Sequence, residues 1–209
     1  MYLLLVNPKA GNQRYRRIER TLVTLLDKEK IKYKIVLIDD LANTQELLKH
    51  NVRGETEAVI AVGGNGTVNT IIDALADYEN LPLGIIPISR TNYLARMLGI
   101  TNWKTGVKLL ANHEIKQMRL GRIGERYFAG LLTISSKRNL LANIFEQHNP
   151  LKKFLGVNAK LVPREEHHVA CSLHLDNDLT VHCQLDTMAI YFQDGFGKKM
   201  KIHLTTLSD

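Results

Sequence analysis

An apolar run, Ala58–Val62, meets three glycines, Gly63, Gly64 and Gly66, and then an apolar-periodic stretch with Val68, Ile71, Ile72 and Leu75. A strand, a tight turn and a helix start follow one another with no room for a linker. Only a sheet covered by helices accommodates such a unit well. Glycines let backbone approach a ligand closely, and a helix N-terminus offers free N–H groups and a positive dipole. The turn Gly63-Gly64-Asn65-Gly66-Thr67 is therefore shaped for a phosphate.

The same alternation runs through residues 1–115. Strands are expected at Tyr2–Val6, Tyr33–Ile38, Ala58–Val62 and Leu83–Pro87. Helices are expected at Arg14–Lys28, with Ile18, Leu22, Leu25 and Leu26 on the apolar face, and at Leu41–His50, capped by Asn43 or Thr44. Further helices are expected at Val68–Ala76, Asn92–Leu98 and Trp103–Asn112. The fold class is α/β: an open, mostly parallel sheet with helices on both faces. Ligands of such sheets sit at the carboxyl ends of the strands. The loops 7–12, 63–67 and 87–92 lie there.

Beyond residue 115 the texture changes to short strands. A hairpin, Met118–Ile123 with Tyr127–Ile134, turns at Gly124-Glu125, and residues 138–158 read as helical or irregular. Val169–Leu175, Leu179–Leu185, Met188–Phe192 and Met200–Leu204 follow, with Asp176-Asn177-Asp178 as the clearest turn. Residues 116–209 thus read as a second, mostly antiparallel β domain.

The chain has 209 residues, enough for one full domain and a smaller one, and 44% of them are hydrophobic, enough for a sizeable core. No run of apolar residues is long enough for a transmembrane helix, and the first strand lacks the basic flank of a signal peptide. With Cys171 and Cys183 and no metal spacing around them, a reduced cytoplasmic protein is expected, a hairpin disulfide being the alternative. The net charge of +7 gathers in Arg14, Arg16, Arg17 and Arg20, in Lys28, Lys30, Lys32 and Lys34, in Lys152 and Lys153, and in Lys198, Lys199 and Lys201. These read as solvated surface or as attraction to an anionic partner: membrane or nucleotide. Basic runs with interleaved aromatics are missing, so no nucleic acid is expected.

Three loops together resemble the diacylglycerol kinase catalytic-domain family, which includes bacterial lipid kinases and sphingosine kinases. Asn7-Pro8-Lys9-Ala10-Gly11 resembles its NPxxG motif, Gly63 to Asn69 its GGDGTxNE signature, and Gly84 to Ile100 its GxxPxGTxNDFARxLGI segment. Order and spacing match. NAD kinases share the GGDGT element, but the first motif and the Ala95-Arg96-Met97-Leu98-Gly99-Ile100 tail favour the lipid-kinase branch. More faintly, Leu120–Phe128 and Gly195–Ile202 resemble parts of the family's β-sandwich domain, so the resemblance implies that residues 116–209 form an incomplete antiparallel β-sandwich.

The resemblance implies ATP-dependent phosphoryl transfer to a lipid hydroxyl, with Mg2+ if the protein is active, at an anionic membrane surface to which the chain binds peripherally. It implies that Gly63, Gly64, Gly66 and Thr67 wrap the nucleotide phosphates, with Asn7 and Lys9 beside them and Asn69 and Asn92 matching family asparagines; Asn65, Arg90 and Thr91, which lie in the same loops, are counted with the nucleotide-binding set. Read alone, Lys9 is a solvated loop lysine, Thr67 a helix cap, Asn69 a helix-surface residue and Asn92 a cap. No dedicated metal ligand is assigned.

The chain also departs from the family. Asn65 stands for Asp and Thr70 for Glu, and the GTxND loop has become Ser89-Arg90-Thr91-Asn92-Tyr93. The charge at position 65 is lost. Arg90 either binds phosphate or fills the nucleotide's space. Asp73 and Asp77 read as a solvated helix face. Relative to the family the chain stops early, at Asp209, near where an acidic DG segment begins. No catalytic acid is assigned: Asp194 reads as a hairpin turn and His167-His168 as surface. A catalytically degenerate, nucleotide-binding or interaction protein of the same fold is the alternative. A homodimer in which a second copy supplies strands is a further arrangement.

Overall fold

The computed structural model describes residues 1–135, apart from 79, 91, 124 and 125, and four later strands, 169–175, 179–185, 187–192 and 200–205. The chain divides into two compact units, with the break after Gly130.

In the first unit β1 (Tyr2–Val6), α1 (Ala10–Lys28), β2 (Tyr33–Leu37), α2 (Thr44–Asn51), β3 (Ala58–Gly63) and α3 (Asn65–Ala74) come in strict alternation. β4 (Leu83–Pro87), α4 (Tyr93–Met97), α5 (Trp103–Ala111) and the short pair β5 (Gly121–Ile123) and β6 (Arg126–Phe128) complete it. The sheet is four-stranded in the order β2-β1-β3-β4, and every pair is parallel. β1 and β3 are buried along their whole length. Their unbroken apolar runs follow from helices covering both faces.

Two cores result, one on each side of the sheet. On one side Leu4, Val6, Ile60, Val62 and Ile86 pack against Tyr15, Leu22 and Leu26 of α1 and Trp103 and Val107 of α5. On the other, Leu3, Leu5, Val59, Ala61 and Ile85 pack against Leu48 of α2, Val68, Ile71 and Ile72 of α3 and Leu94 and Ala95 of α4. Odd and even positions of β1 thus serve opposite layers, as the two-residue period of a strand requires.

Four local expectations need correction. The α2 region opens with a tight 3-10 turn, Leu41–Asn43, before the α-helix begins at Thr44. Asn43 holds the N-cap position of α2 but makes no side-chain cap bond. Asp40 caps the 3-10 turn, accepting from the Ala42 N–H, while the buried Thr44 hydroxyl donates back to the Leu41 carbonyl. The helix expected from Val68 starts at Asn65, because the extended backbone of Gly64 already serves as the N-cap. The strand expected over 127–134 is broken at Gly130, whose φ of +82° leaves the extended region. β6 ends at Phe128, and a separate β7 (Leu131–Ser135) begins in the second unit.

The second unit contains antiparallel strands. β10 (Thr187–Phe192) lies between β7 and β11 (Met200–Thr205), and β8 (Val169–Leu175) pairs with β9 (Leu179–Leu185). In that pair Cys171 stands opposite Cys183. The expected turn 176–178, the segment 138–158, His167-His168, Asp194 and Asp209 lie outside the described residues.

Candidate functional site

Chain order and strand order part company between β1 and β3. From β1 the chain steps outward to β2; it then returns past β1 to β3 and continues to β4. A crevice opens at the carboxyl ends of the strands wherever such a sheet reverses direction. The loops after β1, β3 and β4 meet at this crevice.

After β1, the Asn7 N–H donates to the Val62 carbonyl at 3.0 Å, and the Asn7 side chain accepts from the Lys9 N–H at 3.0 Å. The chain then adopts three left-handed residues in succession, Gly11, Asn12 and Gln13, with φ of 60°, 57° and 57°. Regular helix begins at Arg14, where the apolar periodicity begins. Gly11 is required twice over: its φ disfavours a side chain, and a Cβ would lie 2.1 Å from the Ile88 carbonyl oxygen. The first loop is thereby pressed onto the third.

After β3, Gly63 and Gly64 form the floor. A Cβ on Gly63 would lie 2.4 Å from the Thr67 side chain, and one on Gly64 would lie 3.0 Å from the Ser89 hydroxyl. Gly66 is exposed, with no atom within 4 Å of the place a Cβ would take. The N-cap of α3 makes no side-chain cap bond, and its first turn holds no acidic residue. Val68 donates its N–H back to the Gly64 carbonyl at 3.0 Å, and the positive end of α3 faces the crevice with no acid in its first turn.

After β4, the Ile88 N–H donates to the Gly63 carbonyl at 3.1 Å. The Ser89 hydroxyl is buried and has no hydrogen-bond partner among the described residues. Asn92 is only 2% exposed. Its Oδ1 accepts from the Ala95 N–H at 3.0 Å, which makes it the N-cap of α4, while its amide points to the Gly63 carbonyl at 3.5 Å.

Side chains cross between the loops. The Asn7 amide donates to the Thr67 hydroxyl at 3.0 Å. The Tyr93 N–H donates to Asn65 Oδ1 at 2.7 Å. Asn7 with Thr67, Asn65 with Tyr93 and Asn92 with Gly63 thus form three bonded pairs around the turn, with Gly64 in its floor. Gly66 stands open beside it. Lys9 is exposed and its ammonium donates to the Asp39 carbonyl at 2.9 Å, on the β2 side. Arg90 is exposed, and its carbonyl accepts from the Arg96 guanidinium at 3.0 Å. Asn69 faces elsewhere: its Oδ1 accepts from the Ala129 N–H at 3.4 Å. Thr91 lies outside the described residues.

Thr67 is not the helix cap. It sits in the first turn as a buried residue and receives the Asn7 amide. Asp73 is not on a solvated face either. It is half-buried, and its carboxylate accepts from the Tyr127 N–H at 2.9 Å, holding β6 against α3. A sequence pattern does not mark this role, because the partner is a backbone amide distant in the chain. Asp77 accepts from the Gln45 amide at 2.8 Å.

The model of the diacylglycerol kinase catalytic domain matches residues 1–123, which span the whole parallel sheet and all three loops. The chain belongs to the diacylglycerol kinase catalytic-domain family. A diacylglycerol kinase of Staphylococcus saprophyticus is 23% identical over 155 residues, covering 73% of this chain and 50% of that protein. A diacylglycerol kinase of Bacillus subtilis is 31% identical over 105 residues, covering 49% of this chain and 34% of that protein. The chain spans half the length of the first of these relatives and about a third of the second. A crystal structure of a diacylglycerol kinase from Bacillus anthracis superposes with a TM-score of 0.70 at 18% identity, covering 98% of this chain and 73% of that one. At that identity the likeness shows the fold alone. Among the described residues no helix is long and apolar enough to cross a membrane.

Proposed function

We propose that this member of the family binds the phosphates of ATP over the open end of α3 and transfers the γ-phosphoryl group to a lipid hydroxyl. The observation that carries this reading is the first turn of α3: an N-cap glycine with no side-chain cap bond, no acid, a glycine floor beneath it and, beside it, a buried Ser89 hydroxyl with no partner among the described residues. A phosphate oxygen would supply acceptors for these donors. Positive dipole and close backbone approach hold the phosphates, and Lys9 and Arg90, both exposed on the rim, add charge that a polyphosphate attracts. The acceptor lipid would come from an anionic membrane, toward which a net charge of +7 draws the chain.

Phosphoryl transfer asks the protein mainly for positioning and charge neutralisation. The bond from the γ-phosphorus to the bridging oxygen breaks, a bond to the lipid oxygen forms, and the hydroxyl proton leaves to solvent. ADP and a lipid phosphate are the products.

A second reading, nucleotide binding without turnover, is favoured by one specific feature: position 65 is an amide rather than an acid, and its oxygen is occupied by the Tyr93 N–H. Transfer of radiolabelled phosphate from ATP to mixed lipids separates the two. Label in lipid establishes the kinase reading. Nucleotide binding with no label in lipid establishes the second. Failure to bind nucleotide overturns both.

A further inference from the structure

Position 65 stands where the phosphates would rest, at the first residue of α3. A carboxylate there would set negative charge against negative charge and call for a bridging cation. An amide does neither, because it is uncharged. Its oxygen accepts from the Tyr93 N–H at 2.7 Å, which fixes the carbonyl end of the group toward α4.

Among the described residues, other acids do not make up the deficit. Asp40 accepts from the Ala42 N–H, Asp73 from the Tyr127 N–H and Asp77 from the Gln45 amide. Asp39, at the end of β2, has the Lys9 ammonium on its own carbonyl, and a cation held there would meet like charge. Among the described residues no three His, Cys, Asp or Glu side chains converge on a point where a metal could sit. A protein-held Mg2+ asks for one or two carboxylates beside the phosphates. The described residues of this crevice do not fit that requirement. Positive charge comes instead from the α3 amides and from the lysine and arginine on the rim.

We infer that the crevice takes the nucleotide polyphosphate as the free anion, without Mg2+, and that Asn65 is the residue that sets this preference. The inference rests on the nucleotide reading above and specifies the form of the ligand.

Calorimetric titration of the full chain with ATP, once in excess EDTA and once in excess Mg2+, tests it. Binding in EDTA is expected to be at least as tight as in Mg2+. Asn65→Asp keeps an acceptor for the Tyr93 N–H, so the loop is retained, as a thermal melt would verify. That variant is expected to lose about tenfold or more in affinity in EDTA and to recover when Mg2+ is added. A wild-type affinity that falls about tenfold when EDTA replaces Mg2+ would overturn the inference while leaving nucleotide binding in place. An Asn65→Asp variant that binds like wild type in both media would remove Asn65 from the role. No binding in either medium would overturn the nucleotide reading itself, and this inference with it.

Discussion

The side-chain amide of Asn7 donates to the hydroxyl of Thr67 across 3.0 Å and ties the end of β1 to the first turn of α3. The two strands involved, β1 and β3, are the pair between which the sheet reverses, so this one bond spans the mouth of the crevice. Asn7→Ala would leave the buried Thr67 hydroxyl without that donor and the Lys9 N–H without its acceptor. A loss of about 1–2 kcal/mol in urea unfolding is expected. Asn7→Asp is the informative partner. The Thr67 hydroxyl can turn and donate to the carboxylate, so stability stays near wild type, while ATP affinity drops because a negative charge now faces the phosphates. Equal losses of stability in the two variants would refute the bridge.

The glycines of the second loop separate fold from ligand. Gly63→Ala would drive a methyl to within 2.4 Å of the Thr67 side chain. Overpacking of this kind costs about 1–3 kcal/mol. Gly66→Ala meets no atom and lies in the first turn of α3, where alanine is the better helix former. Its melting temperature should hold or rise, yet its nucleotide affinity should fall, since the methyl stands in the space through which a phosphate approaches. A Gly66→Ala protein that binds ATP like wild type would place the phosphates elsewhere.

Asp73 supports the site from below. Its carboxylate holds the Tyr127 N–H, and one turn earlier on α3 Asn69 holds the Ala129 N–H. Asp73→Ala should accelerate hydrogen exchange at Tyr127 and Ala129 while the amides within α3 stay protected, because the helix itself is packed by Val68, Ile71 and Ile72. Asp73→Asn keeps an acceptor and should exchange like wild type. Unchanged exchange in the alanine variant would make the bond incidental.

The parallel sheet was legible in the sequence because β1 and β3 are buried on both faces and read as unbroken apolar runs. The three loops were legible because glycine and asparagine sit where backbone must approach backbone. What the sequence hid is of another kind. The start of α3 at Asn65 depends on Gly64 acting as an N-cap without a side chain, which no capping pattern reveals. The left-handed run at Gly11, Asn12 and Gln13 starts where Gly11 approaches Ile88, a residue far along the chain. The side-chain cap falls on Asp40, ahead of a 3-10 turn, while Asn43 holds the N-cap position of α2 without a side-chain bond. The carboxylate of Asp73 had a polar face as its obvious reading, and only the fold brings Tyr127 to it.

Tyr15 gives the fold an alkaline limit. It lies on α1 at 3% exposure, with its hydroxyl donating to Glu19 at 3.1 Å. Burial first, then that hydrogen bond and the charges of Glu19 and Tyr33, push its pKa from 10.0 up to about 12. The folded state therefore holds the phenolic proton more tightly than the unfolded chain does. The stabilisation is fully present below the unfolded value and is lost as pH rises from 10 toward about 12. Two units correspond to about 2–3 kcal/mol over that window. Tyr2 and Tyr33, raised chiefly by burial, act with the same sign. Urea midpoints measured from about pH 8 to about pH 11 should fall at the alkaline end, and the fall should be shallower in Tyr15→Phe, which loses the titrating group together with one hydrogen bond. Parallel curves for the two proteins would mean that another group sets the alkaline limit.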